Sequence, residues 1–231
     1  MMNIAIMPAR GGSKRIVRKN LKEFLGKPIL SYPLHVLQQS DIFGRIVVSS
    51  DDDEILFVAK TLGAEPLLRP KELSDDFATT RDVVVHAIDA LGLESDSNVC
   101  CIYPTAVLVC EKTLRDGQEA LAHFAFSFPV VAYDYPIWRA FERDKKGALA
   151  MLYPQHLGAR SQDLPRIWHD AGQFYWGAVR DWLGEIPLFG ERSYGIELGA
   201  MDAQDIDTMD DWAIAELKYQ LRICNNNLGQ A

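Results

Sequence analysis

Five short apolar runs separated by helix-patterned stretches fix the class of fold before any single residue is weighed. Asn3–Met7, Arg45–Ser49, Glu65–Leu68, Asn98–Tyr103 and Ala125–Ala132 have the length and character of strands. Between them lie Pro28–Gln39, Asp53–Leu62, Thr80–Leu91 and Glu111–Phe124. In the third of these, Val83, Val84, Ala87, Ile88 and Leu91 share one helical face. Pro28 suits a first helical turn, Ser50-Asp51-Asp52 can cap the second helix, and Gly63 can stop it. Strands and helices that alternate at this spacing are joined by right-handed crossovers. The chain is therefore α/β, a mostly parallel sheet flanked by helices.

The rhythm breaks after Ala132. Asp134–Asp170 has short apolar pieces, a turn at Lys145-Lys146-Gly147 and no clear helix, so it reads as a hairpin excursion from the sheet. Ala171–Val179 returns as a strand rich in rings, and Asp181–Leu183 is a short helix. Gly195–Leu198 is a last strand and Met209–Arg222 a closing amphipathic helix. With 231 residues, 48% of them hydrophobic, residues 1–231 suffice for one large domain, with the excursion at about 134–170.

Charge and composition narrow the function classes. A net charge of −8, from 24 basic and 32 acidic residues, argues against general nucleic-acid or anionic-membrane binding. No apolar run approaches a membrane span, and the first strand begins too early to leave room for a signal peptide, so a cytoplasmic location is expected. Cys100, Cys101, Cys110 and Cys224 form no C-x-x-C pair and read as buried reduced thiols. The five histidines form no metal-spaced pair.

Against that acidic background one stretch stands out. Met7–Gly26 carries Arg10, Lys14, Arg15, Arg18, Lys19 and Lys22 with no acidic residue before Glu23, and Gly11, Gly12 and Ser13 lie in its middle. Glycines let backbone N–H groups turn toward a ligand, and Arg and Lys add charge and forked donors. A polyphosphate site accounts for the pattern, as does a solvated basic face. Neither G-x-x-x-x-G-K-[ST] nor a helix-opening G-x-G-x-x-G is present. In an open α/β sheet ligands sit beyond the carboxyl ends of the strands, where this loop, Ser49–Asp52, Arg69–Thr80 and Tyr103–Thr105 all fall. Asp205 and Asp207, two apart in an extended segment, can present two carboxylates to a metal. Equally, Asp207-Thr208 can simply cap the last helix. Arg160-Ser-Gln-Asp-Leu-Pro and His169–Tyr175 mix a cation, amides and rings, which suits either a carboxylated sugar or a polar hairpin docked on the sheet.

Several of these stretches, in this order, resemble the acidic-sugar cytidylyltransferases, the CMP-sialic acid synthetase family. They are IMPARGGSKRIVRKN at Ile6–Asn20, FLGKPIL at Phe24–Leu30, SSDDDEI at Ser49–Ile55 and LLRPKELSDDFATT at Leu67–Thr80. YPTA at Tyr103–Ala106, RSQDLP at Arg160–Pro165 and QDIDTMDDW at Gln204–Trp212 follow. HDAGQFYWG at His169–Gly177 looks most like the branch whose sugar is pseudaminic acid.

The resemblance implies a nucleotide-diphospho-sugar transferase-like (Rossmann-like) fold with a protruding hairpin that makes a homodimer. It implies transfer of CMP from CTP to the anomeric hydroxyl of a nine-carbon acidic sugar, with Mg²⁺ as cofactor and pyrophosphate as by-product. Sialic, legionaminic and Kdo sugars are the alternatives within the same chemistry, and a non-catalytic nucleotide-binding module is the alternative outside it. Supply of bacterial surface or flagellar glycans is the implied setting. By the same resemblance Arg10 and Lys14 grip the triphosphate, with Ala9, Gly11, Gly12 and Ser13 beside them and Asn20 positioning the nucleotide. Arg69, Ala78 and Thr80 read cytosine; Asp205 and Asp207 bind metal; Arg160, Gln173 and Tyr175 form the sugar pocket. Asp207, Arg10 and Lys14 are the implied catalytic groups. The chain departs from the family's pattern at Val17, where a proline is usual, and at Ala106–Val109, where P-T-S-P commonly continues. Trp138-Arg139 stands where some relatives place a sugar-contacting lysine.

Overall fold

The computed structural model describes residues 2–75 and 77–228, with residues 225–228 described by backbone alone. β1 (Asn3–Pro8) leads through the basic stretch into a small clip of β2 (Glu23–Phe24) and β3 (Lys27–Pro28). Then come α1 (Ser31–Gln39), β4 (Arg45–Ser50), α2 (Asp53–Thr61), β5 (Glu65–Leu68) and α3 (Thr80–Leu91). β6 (Asn98–Ile102), α4 (Glu111–Ala120) and β7 (Phe126–Ala132) follow. Pro28 thus pairs with Glu23 in the clip instead of opening a helix, a place where a residue without an N–H and with fixed φ costs little. α4 stops at Ala120, short of the expected Phe124.

The excursion contains the hairpin β8 (Phe141–Arg143) and β9 (Leu149–Met151), closed by a turn in which Asp144 Oδ1 accepts from the amides of Lys146 and Ala148. The chain returns as β10 (Trp168–Asp170) and β11 (Phe174–Ala178), then α5 (Val179–Leu183), β12 (Ser193–Leu198) and α6 (Met209–Leu228). α6 runs past the expected Arg222.

β6, β1, β4 and β5 form a parallel block in that order. β11 joins β6 antiparallel, β7 lies antiparallel to both β11 and β10, and β12 closes the edge parallel to β7. β10 and β11 are two halves of one path along β7, interrupted at Ala171-Gly172-Gln173.

The strand order decides where helices and cleft go. The chain steps outward from β1 to β4 to β5, then crosses back to β6 on the other side of β1. Right-handed crossovers therefore put α1 and α2 on one face and α3 on the other. The core follows: Leu34, Leu37, Ile55 and Ala59 pack on Ala5 and Met7, whereas Val84, Ala87 and Ile88 pack on Ile4 and Ile6. β1 is buried on both faces, as a central parallel strand must be. The reversal between β1 and β6 opens a crevice at their carboxyl ends.

A third, smaller cluster holds Ile16, Phe24, Ile29, Val107, Leu108, Ile206, Trp212 and Ala215. It ties the basic loop, the clip, the loop after β6 and the start of α6 into one unit. The apolar residues after Thr105 find their reason here. Val107 and Leu108 fill this cluster while Ala106 and Val109 face the main core. Cys100 and Cys101 are buried as expected, but Cys110 is only partly buried and Cys224 is exposed.

Candidate active site

The loop after β1 is held in shape by groups around it. Ala9 N donates to Ser49 O (2.9 Å), Gly11 N to Asp51 Oδ1 (3.0 Å), and Asn20 Nδ2 to Arg10 O (2.9 Å). Gly11 is required by contact. A Cβ there would lie 2.6 Å from Asp52 Oδ2 and 2.9 Å from Asp52 Cβ, whereas at Gly12 it would meet nothing within 4 Å. Arg18 adopts the left-handed region (φ 54°), uncommon for a residue with a side chain, and its guanidinium pairs with Asp52 (2.8 Å) and Glu54 (2.6 Å). Val17, where the family usually has a proline, is 75% exposed.

Opposite this loop lies the segment before α6. Asp207 was open to two readings, helix cap or cleft carboxylate. The cap is made by Thr208 and Asp211: Asp211 N donates to Thr208 Oγ1 (3.2 Å), and Asp211 Oδ2 accepts from the amides of Thr208 (2.8 Å) and Asp207 (3.1 Å). The Asp207 carboxylate takes no part. It faces Arg15 (2.9 Å) and Lys19 (3.6 Å) from the basic loop, and Lys19 Nζ also donates to Ile206 O (2.7 Å). Asp205 lies beside it; burial first, then the neighbouring Asp207 charge, raise its carboxyl pKa, and Lys19 opposes the shift.

The space between is a cleft of about 400 Å³. Arg10, Ser13, Lys14 and Asn20 line it on the loop side, Asp205 and Asp207 on the other. Arg69 and Ala78 from the loop after β5 and Thr80 at the start of α3 form a third wall, and Tyr103–Thr105 lie at the end of β6. Arg69 is 4% exposed, with Nε donating to Ser74 Oγ (3.0 Å); its burial lowers the guanidinium pKa, partly offset by Asp51. Thr80 Oγ1 is 2.7 Å from the Tyr103 hydroxyl. Arg10 Nη1 donates to Asp75 O (2.9 Å), and Asp75 Oδ1 accepts from Phe77 and Ala78 N (2.8 Å each), so Asp75 shapes its own loop. Its neighbour Asp76 lies outside the described residues.

The other sequence candidates sit elsewhere. Gln173 and Tyr175 are buried behind the cleft in the β10–β11 path. Gln173 Nε2 donates to Asp202 O (2.7 Å), while its Oε1 is buried with no partner among the described residues. Tyr175 donates to Asp170 Oδ2 (2.5 Å), and burial pushes its pKa up. Arg160 stands on the arm, paired with Asp163 (2.9 Å) and with its side chain 75% exposed. Arg139 donates to Ala159 O, and Trp138 Nε1 to Pro165 O (2.8 Å), so both brace the arm. Arg15 and Lys19, noted only as members of the basic run, prove to be the groups that touch Asp207. Their four-residue spacing was the available signal.

Two neighbouring carboxylates on the cleft wall, across from a cationic cradle, fit a divalent cation. Among the described residues no cluster of three or more His, Cys, Asp or Glu can hold a metal alone. An ion held by two carboxylates completes its shell with substrate oxygens and water.

A mixed-sheet α/β fold with central parallel strands, a cationic loop after its first strand and paired acids across the strand ends has the make-up of a nucleotide-using transferase. The cytidylyltransferase family profile matches residues 4–227. The chain is 41% identical over 226 residues, 96% of its length and 97% of the other's, to the pseudaminic acid cytidylyltransferase of Campylobacter jejuni subsp. jejuni serotype O:2. It is 34% identical over 224 residues to a Helicobacter pylori protein described as pseudaminic acid cytidylyltransferase and UDP-2,4-diacetamido-2,4,6-trideoxy-beta-L-altropyranose hydrolase, covering 95% of this chain and 43% of that one. Among solved structures, CMP:2-keto-3-deoxy-manno-octonic acid synthetase complexed with CTP superposes with a TM-score of 0.70 at 13% identity, covering 96% of this chain and 99% of that one. The chain belongs to the cytidylyltransferase family, and its architecture is the nucleotide-diphospho-sugar transferase fold.

Proposed function

We propose that this enzyme transfers CMP from CTP to the anomeric hydroxyl of pseudaminic acid and releases pyrophosphate. One observation carries the reading. The cationic loop and the Asp205–Asp207 pair line a single cleft, in a chain similar over nearly its whole length to an enzyme named for that sugar.

In this reaction the anomeric oxygen forms a bond to the α-phosphorus as the bond from that phosphorus to the bridging oxygen breaks. The electron pair leaves with pyrophosphate and the hydroxyl proton passes to water. The protein's share is alignment and charge neutralisation. Arg10 and Lys14 grip the β- and γ-phosphates, with Ser13 and the amides of Ala9, Gly11 and Gly12 beside them. Asn20 holds the Arg10 carbonyl and so fixes the loop under the nucleotide. Arg69, Ala78 and Thr80 meet cytosine. Asp205 and Asp207 would hold Mg²⁺, which when bound would offset the negative charge of the phosphate oxygens. Arg160 is presented for the sugar's carboxylate, and Gln173 and Tyr175, buried in the β10–β11 path, support the sugar pocket from behind.

Arg160 is far more exposed than a residue closing a pocket within one chain. The arm that carries it also exposes Phe141 (55%), Leu149 (62%) and Leu157 (74%). A homodimer, with each arm laid over the partner's cleft, accounts for both. No helix among the described residues is long and apolar enough to cross a membrane; a cytoplasmic site of action, where CTP is available, belongs to the same proposal.

The test is a panel of pseudaminic, sialic, legionaminic and Kdo acids with CTP and Mg²⁺, read by pyrophosphate release. Pseudaminic acid is expected to give the highest kcat/KM, and Asp207→Ala to abolish release while circular dichroism stays unchanged. A different preferred sugar would overturn the assignment. CTP binding with no pyrophosphate from any sugar would leave only a nucleotide-binding module.

A further inference from the structure

The acids of the cleft project from a stretch with little regular structure of its own. After β12 comes one 3-10 turn, Ala200–Asp202, and then irregular chain up to the cap of α6. Its carbonyl oxygens are held by side chains. Gln173 Nε2 reaches Asp202 O (2.7 Å) and Lys19 Nζ reaches Ile206 O (2.7 Å). Lys218 Nζ, from the middle of α6, reaches both Ala200 O (2.7 Å) and Ala203 O (2.7 Å).

Lys218 differs from the other two. Lys19 lines the cleft and Gln173 is assigned to the sugar, whereas Lys218 lines no part of the cleft. A primary ammonium has three donors and no acceptor, so it can bridge two carbonyls without needing anything in return. Those carbonyls lie three residues apart and bracket the turn. Ala203, at one end of the bridge, is packed in the main core, and Ile206 is fully buried in the satellite cluster. Asp205 sits between these two anchors, so the backbone direction at Ala203 sets where its carboxylate points. Gly172 completes the fit. It lies at φ 63° in the break between β10 and β11, and a Cβ there would stand 3.4 Å from Asp205 Cγ, so the acid packs against bare backbone.

We propose that Lys218 is a positioning residue for the acid pair: by bridging Ala200 O and Ala203 O from α6, it fixes the segment that presents Asp205 and Asp207 to the metal of a metal–CTP complex. The proposal rests on the reading of that pair as the metal site. Groups one step removed from metal ligands commonly set affinity by ten- to a hundredfold.

The experiment compares wild type, Lys218→Met and Lys218→Arg. Mn²⁺ is titrated in the presence of CTP and followed by electron paramagnetic resonance, and CTP binding is measured separately in EDTA. Lys218→Met is expected to weaken Mn²⁺ binding about tenfold, with CTP binding in EDTA and the melting temperature little changed. Lys218→Arg, which again offers donors to two carbonyls, is expected to recover most of the loss. Lys218→Gln carries the same expectation should the methionine variant not fold. Unchanged Mn²⁺ binding in Lys218→Met would overturn the proposal, as would an equal loss of CTP binding in EDTA, which would mark general damage. Mn²⁺ binding indifferent to Asp207→Ala would overturn it together with the metal assignment. Weakened Mn²⁺ binding in Lys218→Met, with no pyrophosphate from any sugar in wild type, would support it and sink only the sugar-transfer reading.

Discussion

Replacing Gly11 by alanine tests whether contact, rather than backbone freedom, demands a glycine in the cationic loop. The added methyl would sit 2.6 Å from Asp52 Oδ2, 2.9 Å from its Cβ and 3.1 Å from its Cγ. Asp52 cannot move freely. It is the N-cap of α2, with Oδ1 accepting from Glu54 N (3.0 Å) and Ile55 N (3.1 Å), while Oδ2 meets Arg18 (2.8 Å). Displacing it loses a helix cap, about 1 kcal/mol, and a partly exposed ion pair, at most about 1 kcal/mol. Gly11→Ala is therefore expected to destabilise by about 1–2 kcal/mol, read as a shift in the urea midpoint at constant m. Gly12→Ala, with nothing within 4 Å, is expected to stay within about 0.5 kcal/mol of wild type. Asp52→Gly removes the obstructing Cβ and keeps a tolerable cap, so Gly11→Ala in that background should cost less than about 0.5 kcal/mol. If both alanine variants lost the same stability, or if the Asp52→Gly background did not relieve the Gly11→Ala cost, the contact argument would be refuted.

Two other outcomes follow from the same geometry. The Thr79–Asp82 and Thr208–Asp211 boxes hold the Asp82 and Asp211 carboxyls below their ordinary value of 3.8, chiefly through the threonine hydrogen bonds. A depressed folded pKa stabilises above the unfolded value and that stability is lost as pH falls through the folded one. The melting temperature should therefore fall below about pH 4, and an Asp82→Asn/Asp211→Asn variant should be less stable at neutral pH with a shallower acid decline; an unchanged acid slope would count against the boxes. On the arm, Leu149→Asp places a charge in the exposed apolar surface and is expected to shift sedimentation from dimer toward monomer, while a wild-type chain that sediments as a monomer would sink the dimer proposal.

The order of strands and helices, the polar loops at the strand ends and the basic stretch were all legible in the sequence, because each is written in local pattern. Apolar alternation, caps such as Asp52 and stops such as Gly63 act within a few residues of themselves. Local pattern misled where a partner distant in sequence decided the outcome. Pro28 joined a two-residue strand because Glu23 was there to pair with it. Asp207 and Thr208 carried one signal for a cap, and only the fold divided the roles, giving the cap to Thr208 and Asp211 and turning Asp207 toward Arg15 and Lys19.

The sequence alone thus determined an α/β sheet with cations after its first strand and two acids near its last helix. Tertiary structure decided that these meet. The satellite cluster of Ile16, Phe24, Leu108, Ile206 and Trp212 buries residues from four separated segments together, and so draws Lys19 to within 3.6 Å of Asp207 across 188 positions of chain. It also recruited Lys218, whose ammonium, beside the Asp134 and Asp202 charges, donates its hydrogen bonds among the described residues to backbone carbonyls. Any residue type supplies such carbonyls, so no pattern of side chains could have announced them.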